Sequence, residues 1–254
     1  MSQRSRGGVR RSVDERAATS AEAVGRTSDE RPATSDAGAQ AHPYAAVDVV
    51  VFTVDAGALK ALVVKVREGP FAGQWAFPGG LVQMDESIDD AAVRELSAKT
   101  GLRGIYLEQL RTFGDPGRDQ HARVVSTAYF ALVPAKEMVE RSAKYADVAW
   151  LPARRLPRLA YDHDAVARAA LERLRAKLTY TNIVYGLLPG AFTLGELQEI
   201  YERILGRRLD RRNFRKKILT SGLLRQLGTQ RRGAHRPAAL YRFAQRRPVM
   251  VELL

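Results

Sequence analysis

Glu95, Ala98 and Lys99 stand at i, i+3 and i+4 in a stretch with helical periodicity, and that spacing puts all three on one helix face. Three carboxylates so placed would form an oxygen-rich site for Mg²⁺, which neutralises a pyrophosphate and activates a water for hydrolysis. This chain keeps one carboxylate, deletes the second and replaces the third with a cation. Lys99 therefore has two readings. It pairs with Glu95 as an exposed i,i+4 ion pair worth about 0.2–0.5 kcal/mol, or its ammonium takes over part of a metal's charge beside a phosphate.

The elements that position these residues run from Gly79 to Leu102. Gly79 and Gly80 suit a tight turn where backbone comes close to a ligand. The spacing of Ile88, Ala91, Ala92, Val93 and Leu96 predicts a helix with those residues on its buried face, stopped at Gly101. Gly80, Glu86, Arg94, Glu95, Leu96, Gly101 and Leu102 match in register G-x5-E-x7-R-E-U-x-E-E-x-G-U, where U is a bulky aliphatic residue. This stretch resembles the Nudix box. The resemblance implies a mixed sheet between helices with the ligand cleft beside the box. Ala98 and Lys99 occupy the positions of two metal-ligand glutamates, so no catalytic residue and no metal site is assigned, and Mg²⁺ is expected only if hydrolysis is retained.

Ahead of the box, residues 46–53 and 59–66 read as a β-hairpin about the turn Asp55-Ala56-Gly57. Trp75 and Phe77 then either stack a base or pack the core. After the box, residues 107–113 and 123–133 read as strands around the turn-rich GDPGRD. EQLRTFGDPGRD followed by RVVSTAYFALV resembles the Nudix-related transcriptional regulators, NrtR. In that family a Nudix-like domain senses ADP-ribose, a winged helix binds DNA, and the regulated genes belong to NAD metabolism. The resemblance implies an effector pocket drawn from Phe113, Asp115, Arg118 and Asp119, with Trp75, Phe77 and Lys99 as further candidates and no required cofactor.

A second argument comes from charge. Between Gly206 and Arg247 stand fourteen Arg and Lys against Asp210 alone, and the resulting +13 equals the formal net charge of the whole chain. Charge this concentrated is the footprint of a polyanion partner. Residues 182–188 read as a first helix, and Thr193 with Glu196 forms a capping box opening a second with Leu194, Leu197, Ile200, Tyr201 and Ile204 inward. Asp210 caps a third, with Phe214 and Ile218 inward and Arg211, Arg212, Arg215 and Lys216 outward. Residues 223–227 and 239–243 read as two strands joined by a basic loop. This order makes a winged helix-turn-helix whose third helix reads the major groove. Arg212, Asn213 and Arg215 are the expected base readers. Arg207, Arg208, Lys216, Lys217, Arg231, Arg232, His235 and Arg236 are assigned to phosphates.

The fold expected is α/β: a Nudix-like α/β/α sandwich plus a C-terminal winged helix. The boundaries read as a disordered tail at 1–41, poor in large apolar residues and solvated or serving as a DNA-seeking arm, an effector-sensing domain at 42–160, a linker helix at 161–178 and a DNA-binding domain at 179–247. That linker helix either transmits a change between domains or simply packs. With no Cys, neither a disulfide framework nor a zinc finger is available. No run approaches the roughly 18 apolar residues of a membrane span, so a cytoplasmic, nucleoid-associated protein is expected. Together these features predict a non-enzymatic repressor, a homodimer on palindromic operator DNA. The alternatives are a metal-dependent ADP-ribose pyrophosphatase and a sugar-phosphate-responsive regulator of the same build.

Overall fold

The computed structural model describes residues 42–136, 147–231 and 237–251; the tail 1–41 and the wing residues Arg232, His235 and Arg236 lie outside them. β-Branched residues fill β1 (Tyr44–Asp55), and Ala56 and Gly57, both at positive φ, turn it back into β2 (Ala58–Lys65). Five more strands complete a mixed sheet: β3 (Trp75–Ala76), β4 (Gly79–Leu81), β5 (Glu108–Phe113), β6 (Val124–Leu132) and β7 (Val148–Pro152). The order is β3-β2-β1-β6-β5, with β4 also paired to β1 and β7 to β2. β1 and β6 run parallel, whereas β1 and β2 run antiparallel.

Side chains alternate across a strand, and β1 is buried on both faces. Val47, Val49 and Val51 pack with Ala91, Ala92 and Leu96 of α1 (Ile88–Thr100). Val50 and Phe52 belong to the opposite cluster with Val166, Ala170 and Leu174 of α2 (His163–Tyr180). The result is a helix–sheet–helix sandwich. Ser87 caps α1 by accepting the Asp90 N–H at 3.1 Å, and Gly101 ends it at φ 71°. The buried face of α1 is Ala91, Ala92, Glu95, Leu96 and Thr100. Ile88 and Val93, expected on that face, are instead 43% and 50% exposed. Ile88 lies in the first turn, ahead of the alanines that meet the sheet, and Val93 falls just outside their stripe.

Beyond α2 the expected first helix at 182–188 is only a 3-10 turn, Ile183–Gly186. Gly186 packs against Leu132, and Pro189 prevents continuation. α3 (Leu194–Leu205) opens with the capping box, Glu196 N–H to Thr193 Oγ1 at 3.2 Å and Thr193 N–H to Glu196 Oε2 at 2.7 Å, and Gly206 closes it at φ 74°. α4 (Arg211–Thr220) is capped by Asp210, whose carboxylate accepts the Asn213 N–H at 2.7 Å. A three-stranded sheet, β8 (Phe192–Thr193), β10 (Ala238–Phe243) and β9 (Leu224–Arg231), completes the winged helix. β8 has no local sequence signal. β9 extends through residues expected in the loop, because pairing of Arg231 with Ala238 and Gln230 with Ala239 holds that polar stretch extended. Among the described residues no helix is long and apolar enough to cross a membrane.

Candidate functional site

Gly79 and Gly80, expected in a turn, instead open strand β4 and pair with Asp48 and Val47 of β1, and this close packing against α1 can be built only with glycines. A Cβ on Gly80 would lie 2.5 Å from the Glu95 carboxyl carbon, and one on Gly79 would collide with the Val47 carbonyl and the Asp48 carboxylate. Glu95 is thereby pressed against the backbone of β4. Arg94 grips Glu86 with two bonds, Nη2 to Oε1 at 2.6 Å and Nε to Oε2 at 2.8 Å, and also bonds Glu95 and the Leu81 carbonyl. Hydrogen bonding from Arg94 holds the Glu86 carboxyl below its usual range. Lys99 Nζ lies 3.2 Å from Glu95 Oε2 and donates to the Gly79 carbonyl. Each oxygen of the buried Glu95 carboxylate thus faces a cation, and Ala98 is exposed without contributing an oxygen.

Directly behind Gly79 is a buried cluster centred on Asp48 of β1. Asp48 Oδ2 accepts from Ser126 Oγ at 2.6 Å and Arg118 Nη2 at 3.0 Å, and Oδ1 lies 3.0 Å from His163 Nε2. His163 Nδ1 accepts the Phe77 N–H at 2.9 Å, which places the ring proton on Nε2, toward Asp48. Burial pushes the Asp48 carboxyl up, but His163, Arg118 and Ser126 outweigh it and hold it well below the usual carboxylate range. Arg118 also binds Asp162, Nη2 to Oδ1 at 2.8 Å and Nε to Oδ2 at 3.2 Å. Burial lowers the Arg118 pKa, and these two carboxylates more than reverse the shift.

Of the expected pocket residues, Lys99 and Arg118 are brought to the two sides of the Gly79–Asp48 contact. Phe77 and Phe113 are core residues instead: Phe77 stacks on His163 at 5.5 Å between centroids, and both belong to the cluster beneath α2. Neither has an open face for a base, so the pocket reading of these two is corrected. Trp75 is half-buried with Lys65 Nζ 5.3 Å from its ring centroid. Asp115 and Asp119 close local turns, accepting the Gly117 and His121 N–H groups at 2.8 and 2.9 Å.

On the winged helix, Phe214 and Ile218 are buried and Arg211, Arg212, Asn213, Lys216 and Lys217 are exposed, as are Arg207 and Arg208 ahead of them. Arg215 departs from its expected outward position: it is half-buried, with Nε shielded from solvent and lacking a hydrogen-bond partner. Arg231, expected on phosphate, binds Glu196 and so ties the wing to the start of α3.

Two family models match this chain: the NUDIX domain over residues 42–174 and the NrtR DNA-binding winged helix domain over residues 184–243. The ADPR responsive transcriptional repressor NtrR of Acinetobacter baylyi is 36% identical over 206 residues, 80% of this chain and 82% of that protein. The chain belongs to the NrtR family. A crystal structure of Shewanella oneidensis NrtR complexed with a 27mer DNA superposes with a TM-score of 0.72 at 35% identity, covering 78% of this chain and 92% of that one. The ADP-ribose pyrophosphatase of Methanocaldococcus jannaschii is 32% identical over 128 residues, 50% of this chain and 72% of that enzyme.

Within this NrtR-family chain, sequence reasoning missed Asp48, Ser126, Asp162 as a charge partner, and His163. Asp48 carried a signal, a lone acid inside the apolar run AVDVVVFT, since a buried carboxylate requires partners. His163 carried none, because its partners Asp48 and Phe77 lie 115 and 86 residues earlier in the chain.

Proposed function

We propose that this protein is a DNA-binding transcriptional repressor of NAD-metabolism genes whose Nudix domain senses ADP-ribose without hydrolysing it. The observation that carries the reading is the Lys99 ammonium resting on Glu95 and the Gly79 carbonyl. A divalent cation would need those oxygens, and Glu95 is already neutralised from both sides, so the box does not fit a metal. With Glu86 and Glu95 offset by Arg94 and Lys99, a diphosphate meets a locally balanced surface rather than a cluster of carboxylates. Lys99, still partly exposed, supplies the charge that attracts it. The repressor relative from A. baylyi supports the effector, and the DNA complex of S. oneidensis NrtR supports the partner.

Residues 42–160 form the sensing domain in this reading, 161–178 the connecting helix and 179–247 the DNA-binding domain. Arg212 and Asn213 face base edges, and Arg207, Arg208, Lys216 and Lys217 face phosphates. The protein acts in the cytoplasm as a homodimer on a palindromic operator, since paired half-sites mirror protein two-fold symmetry. Effector and DNA are coupled because the effector binds two conformations unequally.

The pyrophosphatase relative keeps a hydrolase alternative in play, so the test reads both activities. Fluorescence anisotropy on the protein's own upstream DNA and on scrambled DNA, at fixed physiological salt, is followed during ADP-ribose titration. Specific binding that shifts with intact ADP-ribose is the expected result. Consumption of ADP-ribose with no sequence preference on DNA would make the protein an enzyme with a basic appendage.

A further inference from the structure

Asp162 occupies the N-cap position of α2, but its side chain makes no cap bond. Aspartate at this position ordinarily accepts from the free N–H groups of the first turn. Here the carboxylate is drawn to Arg118 instead, and the backbone at Asp162 has φ −94° and ψ 20° rather than the extended geometry of Ser87, Thr193 and Asp210 at the other helix starts. Immediately before it, Tyr161 sits at φ 57°. A non-glycine residue in the left-handed region stores backbone strain of the kind found at switch segments. So one carboxylate has two competing partners, and the chain around it is held away from its relaxed form.

Arg118 links this segment to the box. It lies on the β5–β6 connection, whose residues Gly114–Gly117 are exposed, and it shares Asp48 with the back of Gly79. The front of Gly79 carries Lys99. At its far end α2 reaches the DNA-binding module. Leu174 and Leu178 share a core with Leu197, Tyr201 and Phe214, and Arg175 Nε donates to the Ile204 carbonyl at the end of α3, 3.3 Å away.

We propose that Asp162 is the switch between the effector site and the winged helix. Without ligand, Arg118 holds Asp162 off the helix. Arg118 is only 7% exposed, so an anionic diphosphate beside Gly79 reaches its guanidinium only by displacing the exposed 114–117 loop beside it. The diphosphate then competes for Arg118, and the released carboxylate turns to cap α2. The strained segment at Tyr161 relaxes, the start of α2 moves, and the winged helix packed on α2 moves with it. This mechanism rests on the functional reading above.

The test uses the full chain with Asp162→Asn. Asparagine caps a helix about as well as aspartate, but without charge it holds Arg118 weakly, so the variant favours the capped state before any ligand arrives. Its DNA affinity without effector should differ from wild type by about fivefold or more, in the direction ADP-ribose moves the wild type, with a smaller residual response. Hydrogen exchange at the Asp164 amide, the group a capped Asp162 would newly protect because the Ala165 N–H is already bonded to the Asp162 carbonyl at 2.8 Å, should slow severalfold in the same variant. Asp162→Ala, able neither to cap nor to hold Arg118, should lose the ADP-ribose response and leave the Asp164 amide unprotected. Wild-type exchange and wild-type coupling in Asp162→Asn would overturn the switch. If wild-type DNA binding ignores ADP-ribose, the functional reading fails, and the exchange comparison alone decides whether Asp162 alternates.

Discussion

On α1, Arg94 is bonded to Glu86, Glu95 and the Leu81 carbonyl, and Lys99 to Glu95 and the Gly79 carbonyl. On α4, Arg211, Arg212, Lys216 and Lys217 are exposed and form no ion pair among the described residues. The two helices carry the same side-chain types in different states of compensation. Paired cations offset the carboxylates of the Nudix box, and of the two only Lys99 keeps close to half of its side chain exposed. The α4 cations are uncompensated and solvent-exposed, the condition in which a phosphate backbone gains most from them by releasing its counterions. The count of charges therefore does not distinguish a polyanion surface from a small ligand site; the state of their pairing does.

The contrast can be attacked from either helix. Replacing Arg211, Arg212, Lys216 and Lys217 together with Ala should lower operator affinity by about 100-fold or more at physiological salt. The slope of log K against log salt should become shallower by about 0.9 for each phosphate that is no longer neutralised. Urea unfolding should change by no more than about 0.5 kcal/mol, because exposed unpaired cations hold nothing in place. An unchanged salt slope would show that these residues stand away from the DNA.

Arg94→Ala should do the reverse. It leaves Glu86 without its clamp and Glu95 with Lys99 alone, at a cost of about 1–3 kcal/mol in urea unfolding, while the salt slope of DNA binding stays at the wild-type value. A wild-type unfolding midpoint would mean that the box network contributes nothing to the fold.

The third contrast is read by pH. Asp48 has a folded pKa depressed below its unfolded value, so its stabilising contribution is fully present above the unfolded carboxylate value of about 4. That contribution is lost as pH falls from there through the folded value, with a slope of up to about 1.4 kcal/mol per pH unit. Asp48→Asn should therefore flatten the acid limb of the stability curve while lowering stability at pH 7. An acid limb as steep as wild type would assign the proton uptake to other carboxylates.

The parts of this molecule legible in sequence are those written locally. Glycines and caps mark the helix ends: Gly101 on α1, Thr193 with Glu196 and Gly206 on α3, and Asp210 on α4. The box spacing places Glu95 and Lys99 together because one helix carries both. What local reading missed was set by distant pairing. β8 exists because Phe192 and Thr193 line up with Tyr241 and Leu240, and His163 acquires its role only when α2 folds back over β1. Phe77 and Phe113 illustrate the same limit, since an aromatic in a core and one in a pocket have the same sequence signature and differ only in what covers them.

One apolar cluster runs from Val50, Phe52 and Leu59 of the sheet, through Leu174 and Leu178 of α2, to Leu197, Tyr201, Ile204, Phe214 and Phe243 of the winged helix. The DNA-reading module is therefore not a detachable cassette. Cutting the chain after α2 would strip it of the aliphatic bed on which α3 rests, and grafting it elsewhere would require that bed to be rebuilt. Such a module diversifies most readily at α4 and the wing, whose outward residues can vary while the seam beneath them stays fixed.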